Sequence, residues 1–144
     1  VRGQITEAVA DGATAHIDTF AEDDGGAYLT PQILTNVTHD MRVMREESFG
    51  PVVGIMPVKT DAEAIAFMND SDFGLTASLW TQDTVRAEAI ADQIETGTVF
   101  MNRADYLDPG LCWTGCKDTG RGGGLSVIGY HNLTRPKSYH LKKA

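Results

Sequence analysis

Two cysteines in 144 residues are too few for a disulfide framework, so a reducing cytoplasm is the expected compartment. No apolar run reaches the length that crosses a bilayer, and the first residues lack the charged-then-apolar pattern of a secretory leader. Basic residues are scarce: 12 Lys/Arg against 20 Asp/Glu leave a net charge of −8. That balance argues against nucleic acid or an anionic membrane as partner. What remains is 42% hydrophobic and 22% charged, the make-up of an ordinary soluble globular protein. The length fits one domain, or one lobe of a larger one.

Charge is unevenly spread. Residues 1–102 carry 5 Lys/Arg against 17 Asp/Glu, whereas residues 103–144 carry 7 against 3. A basic tail of this kind is expected to pack on an acidic surface, of this chain or of a neighbouring subunit. The first residue is Val1, and residues 1–10 already have helical spacing, with Ile5, Ala8 and Val9 on one face. A chain that opens inside an amphipathic helix is expected to be a piece of a longer one.

That helix should stop at Gly12, a residue suited to the left-handed position after a helix end. The acidic residues 22–26 read as a turn. Residues 28–37 are strand-like, with Pro31 making the entry irregular. Residues 52–58 read as a buried strand, placed near an edge by Pro57. Thr60 and Glu63 have the spacing of a capping box, ahead of a helix with Ala62, Ile65, Ala66 and Asn69 on one face. Residues 75–81 alternate like a strand. Asp83 should open a second helix, with Ala87, Ile90, Ala91 and Ile94 inward and Gly97 at its end, and residues 98–101 form another strand. Strand, helix, strand, helix, strand at this spacing predicts an α/β fold, a parallel sheet built by two right-handed βαβ crossovers. Ligand sites in such sheets lie beyond the C-terminal ends of the strands. Function is therefore expected in the long loop of residues 102–124, which holds Trp113, Cys112, Cys116 and Lys117. A short helix or turn over 125–132 and an exposed basic strand over 134–143 should follow. A lone terminal strand needs a sheet to join.

Most local candidates have an ordinary explanation. Cys112 and Cys116 would need two further ligands to hold a metal, and His16, His39, His131 and His140 are scattered, so no metal site is expected. No His or carboxylate is placed by the sequence to activate either thiol. The glycines of residues 120–124 match neither a dinucleotide fingerprint nor a phosphate loop, and serve tight turns instead. Glu46 and Glu47 are adjacent, so they point apart and do not form the facing pair of a glycosidase. By composition they are a charged turn before a strand.

The order of motifs decides between these readings. Residues 45–53, Arg-Glu-Glu-Ser-Phe-Gly-Pro-Val-Val, resemble the Glu-Glu-x-Phe-Gly-Pro-Val segment of the aldehyde dehydrogenase superfamily. Residues 26–31 and 40–41 before it resemble that family in order and spacing. So do residues 61–65, 69–70, 73–77, 80–81, 97–102 and 113–122 after it. The resemblance runs along nearly the whole chain.

It implies the C-terminal part of a Rossmann-like catalytic lobe over 1–133 and a terminal oligomerisation strand over 134–144. It implies NAD or NADP as cofactor, an aldehyde as substrate, and a homo-oligomer completed by the missing N-terminal part. Glu47 matches the glutamate that accepts hydrogen bonds from the nicotinamide ribose hydroxyls, a role suited to an acceptor-only carboxylate. Phe49 matches the aromatic beside the nicotinamide ring. Trp113 matches a residue lining the aldehyde pocket, with Leu107 and Leu111 in the same loop. Ser48 is smaller than the usual aliphatic residue and Trp113 bulkier than the usual Phe. In the family a cysteine thiolate attacks the aldehyde to give a thiohemiacetal, hydride leaves for NAD(P)+, and water hydrolyses the thioester. The family's nucleophile, general base and oxyanion asparagine precede the matched region, so no catalytic residue is assigned here, Cys112 and Cys116 included. The chain alone is therefore expected to be inactive. Its role is either a share of a working dehydrogenase or that of a truncated, non-catalytic interaction module.

Overall fold

The computed structural model describes residues 1–17 and 28–144; the turn expected over residues 22–26 lies outside them. The chain divides into two compact units, Val1–Thr60 and Asp61–Ala144. Among the described residues, no helix is long and apolar enough to cross a membrane.

The first unit comprises α1 (Arg2–Ala10), β1 (Thr14–Ala15), β2 (Gln32–Thr35), α2 (Arg42–Arg45) and β3 (Val52–Gly54). α1 ends as the sequence predicts. Gly12, at φ +106°, donates to Val9 O at 3.1 Å, and Ala13 donates to Ala8 O at 2.9 Å. These are the paired bonds of a Schellman stop, and Gly supplies the left-handed backbone without steric cost. The inward face differs from the expectation at one position: Gln4, Ile5 and Ala8 are buried, while Val9 is 44% exposed. The core reads one position earlier because Gln4 finds polar partners inside.

β2 is central, antiparallel to β1 and parallel to β3. Its Leu34 is completely buried and packs in a cluster with Ile5, Ala8, Ala13, Val37, Met41 and Val43. β3 is shorter and more exposed than the buried strand expected over 52–58. It lies at the edge of its sheet, and the run continues into Pro57, which has no N–H to extend a ladder. A Cβ at Gly54 would displace the Met44 side chain, whose sulfur packs against it.

The second unit comprises α3 (Asp61–Asn69), β4 (Phe73–Gly74), β5 (Thr76–Leu79), α4 (Thr84–Ala91), β6 (Thr98–Met101), β7 (Trp113–Thr114), β8 (Cys116–Lys117), β9 (Gly123–Gly124) and α5 (Ser126–Leu133). β5 and β6 pair in parallel across α4, a complete crossover that buries Ala77, Ala87, Ile94 and Phe100. Asp83 caps α4 by accepting from the Arg86 N–H at 2.9 Å, as Ser, Thr, Asp and Asn commonly do at this position. The helix stops at Ala91, earlier than Gly97, and a turn carries the chain onward. α3 begins directly after Thr60, as expected, but its inner face is not the predicted one. Ala62 and Ala66 are exposed while Ile65 and Asn69 are half-buried, and no residue of the helix is fully buried. Asp61 pairs with Arg86 through both carboxylate oxygens, at 2.7 and 2.6 Å, tying the start of α3 to α4.

The segment expected as one long loop, 102–124, contains three short strands. β7 pairs with β9 and β8 with β4, both antiparallel. Lys117 clamps this region, donating to Asn69 O at 2.5 Å and Ser71 O at 3.0 Å and pairing with Glu95 at 2.8 Å. Residues 134–144 are exposed and belong to no helix or strand.

Gly97 sets how closely β7 can approach the start of β6: any Cβ there would overlap the Thr114 carbonyl. Gly97→Ala is therefore expected to lower stability by about 1–3 kcal/mol, the usual cost of forcing atoms into a packed site. The check is the urea midpoint of the 144-residue chain; an unchanged midpoint would show that the close approach is not required.

Candidate functional site

The predicted site residues fall in both units, Glu47 and Phe49 in the first and Leu107, Leu111 and Trp113 in the second.

Segment 46–49 leaves the short helix α2 and leads to β3. Its two adjacent carboxylates have separate fates. Glu46 is committed: Arg42 donates Nε to Glu46 Oε1 at 2.8 Å and Nη2 to Oε2 at 2.9 Å. The same guanidinium reaches Glu7 on α1 through Nη1 at 2.7 Å. The Arg42 hydrogen bonds hold the Glu46 carboxyl below its ordinary value, against a smaller opposing effect of burial. The two carboxylates hold the guanidinium above its own. Glu47 is exposed and takes no hydrogen bond or ion pair from the described residues. Phe49 is 93% exposed. An ionised carboxylate with free lone pairs, two residues from an uncovered aromatic ring, can accept from a diol and lay a flat face against a planar ligand.

In the second unit, Trp113 is half-buried in β7. With Leu75, Thr114, Gly115 and residues 119–124 it lines an open depression of about 350 Å³. Leu107 and Leu111 stand in the preceding loop, 61% and 52% exposed, and do not line that depression. The loop has local order of its own. Arg103 stacks over the Tyr106 ring at 4.1 Å. Asp108 accepts from the N–H groups of Gly110 at 2.8 Å and Leu111 at 3.0 Å. Cys112 and Cys116 are free thiols, each half-buried.

At the C-terminal ends of the parallel pair, Asn102 acts as an extra rung. Its side chain accepts from Thr81 N at 2.9 Å and donates to Thr81 O at 2.7 Å, tying the exits of both strands together, and its own backbone is left-handed at φ +56°. The sequence analysis did not single out Arg42, Gln4 or Asn102. The i, i+4 spacing of Arg42 and Glu46 could have revealed that pair. Nothing in the sequence points to Glu7.

Short parallel pairs crossed by helices define an α/β protein. The profile of the aldehyde dehydrogenase family matches residues 1–139, and the chain belongs to that family. An aldehyde dehydrogenase of Paenarthrobacter nicotinovorans is 40% identical over 134 residues, which are 93% of this chain and 29% of that protein. A succinate-semialdehyde dehydrogenase [NADP(+)] of Deinococcus radiodurans is 34% identical, over 95% of this chain and 29% of its own length. A solved indole-3-acetaldehyde dehydrogenase in complex with NAD+ superposes with a TM-score of 0.86 at 32% identity, over 95% of this chain and 28% of that one. The chain thus spans under a third of the relatives it matches.

The Arg42 clamp on Glu46 should be visible by titration. With its folded value depressed from the ordinary 4.5, Glu46 contributes its stabilising contact fully above that pH. The contribution fades as pH falls through the folded value. Carboxyl NMR should find Glu46 titrating below 4.5, and Arg42→Met should move it upward. A midpoint unaffected by Arg42→Met would contradict the clamp.

Proposed function

We propose that this chain is part of an NAD(P)-dependent aldehyde dehydrogenase that oxidises an aldehyde to a carboxylic acid through a cysteine thiohemiacetal. Its share is to close the nicotinamide end of the cofactor site and to line the aldehyde pocket. The observation that carries this reading is the division of labour at Glu46 and Glu47. One carboxylate is spent on structure, and its neighbour in the family motif is left exposed, without a partner among the described residues.

The residues present fit the cofactor. Glu47 offers two acceptor oxygens to the two hydroxyls of the nicotinamide ribose, in charge-assisted bonds that are stronger than neutral ones. Phe49 offers an uncovered ring to one side of the nicotinamide. When bound, NAD(P)+ supplies the hydride acceptor. Glu47 and Phe49 then orient that acceptor, and correct orientation is itself a large part of catalysis. Trp113, with Leu107 and Leu111, forms pocket wall and excludes water from the aldehyde. The nucleophile and general base belong to the remainder of the enzyme. Residues 134–144, exposed and strandless here, supply the strand that pairs with a neighbouring subunit in a homo-oligomer.

In the full-length enzyme, Glu47→Gln is expected to weaken dinucleotide binding or slow hydride transfer about tenfold or more, the scale of a lost hydrogen bond to a charged group. Pre-steady-state NAD(P)H formation measures it, and wild-type kinetics would remove Glu47 from the site. The 144-residue chain by itself should form no NAD(P)H from aldehyde. Turnover that vanishes on Cys112→Ala would instead place the nucleophile inside this chain.

A further inference from the structure

Neither Glu47 nor Phe49 lies in a helix or strand, so no ladder fixes their backbone. Backbone bonds flank the segment, from Glu46 N to Arg42 O and from Gly50 N to Ser48 O, both at 2.8 Å, and its side-chain ties converge on α1. Arg42 grips Glu46 with two parallel hydrogen bonds, at 2.8 and 2.9 Å. Its remaining Nη1 is anchored to Glu7 of α1 at 2.7 Å. On the other side of Glu47, Ser48 donates its hydroxyl to Gln4 Oε1 at 3.1 Å. Gln4 is buried in α1, and its Nε2 makes a longer contact to Glu46 Oε2 at 3.4 Å. Both neighbours of Glu47 are therefore pinned to one helix while Glu47 itself is left unengaged. The planar fork of an arginine fixes orientation as well as distance, which an ammonium group does not.

We propose that Arg42 is a positioning residue for dinucleotide binding: by clamping Glu46 against Glu7, it fixes the backbone from which Glu47 reaches the ribose hydroxyls. This rests on the assignment of Glu47 made above. Exposed ion pairs contribute little to stability, so the clamp acts on the placement of Glu47 more than on folding.

The test uses the full-length enzyme and titrates NAD+ and NADP+ by tryptophan fluorescence quenching. Arg42→Met should weaken binding of the dinucleotide by about three- to tenfold, the coupling expected of residues in one network. The aldehyde KM and the thermal midpoint should hold. Glu46→Gln, which opens the clamp from its other side, should reproduce that loss, and Arg42→Lys should fall between Arg42→Met and wild type. The double variant Arg42→Met/Glu47→Gln should bind no more weakly than Glu47→Gln alone. Wild-type binding by Arg42→Met, with Glu47→Gln impaired, would overturn the positioning role and leave the Glu47 assignment standing. Factors that multiply in the double variant would also overturn it, because Arg42 would then act independently of Glu47. Wild-type binding by Glu47→Gln would remove the ribose assignment, and the positioning role with it.

Discussion

Strands of two to four residues satisfy few of their own backbone groups, yet every N–H and C=O taken from water needs a partner. Side-chain amides meet that constraint throughout this chain. Gln32, 2% exposed, accepts from the N–H groups of His16, Ile17 and Ile33 and donates to Ile17 O, at 2.9–3.1 Å. A buried amide with oxygen and nitrogen both engaged stabilises where an unpaired one would cost. Asn69 does the same for the turn after α4, donating to Gln93 O at 2.7 Å and accepting from Glu95 N at 2.8 Å. Asn102 closes the end of the β5–β6 pair. Without these amides the short ladders would end in unpartnered backbone.

The same economy governs the candidate site. Arg42, Glu7, Glu46, Gln4 and Ser48 form one connected network in the first unit. Glu47 stands outside it. A carboxylate kept clear of internal partners keeps its acceptors for a ligand, and it does not have to break a protein contact when the ligand arrives. Phe49 follows the same logic in apolar form, since its ring is left uncovered while Leu34, Met41 and Val43 close the core nearby in sequence.

The family and the α/β class were legible because they rest on order along the chain. The Gly12 stop, the Asp83 cap, the β5–α4–β6 crossover and the motif of residues 45–53 are each written in a few contiguous residues. Short-range steric and hydrogen-bonding rules are enough to read them. The face of α3, the burial of Gln4 in place of Val9, and the strands hidden in residues 102–124 were not legible. Each depends on partners far away in sequence: β8 pairs with β4 across some forty residues, and Lys117 bonds to Asn69, Ser71 and Glu95.

Sequence by itself determined which residues stand at the motif: Glu46, Glu47 and Phe49 in that order, ahead of a strand. The i, i+4 spacing of Arg42 and Glu46 allows a pair there, but nothing in the sequence points to what anchors the arginine. Tertiary structure supplied that anchor by bringing Glu7 of α1 within 2.7 Å of Arg42, a contact between residues 35 apart. Hydrogen bonding to a guanidinium is directional, and only one of the two neighbours faces the fork.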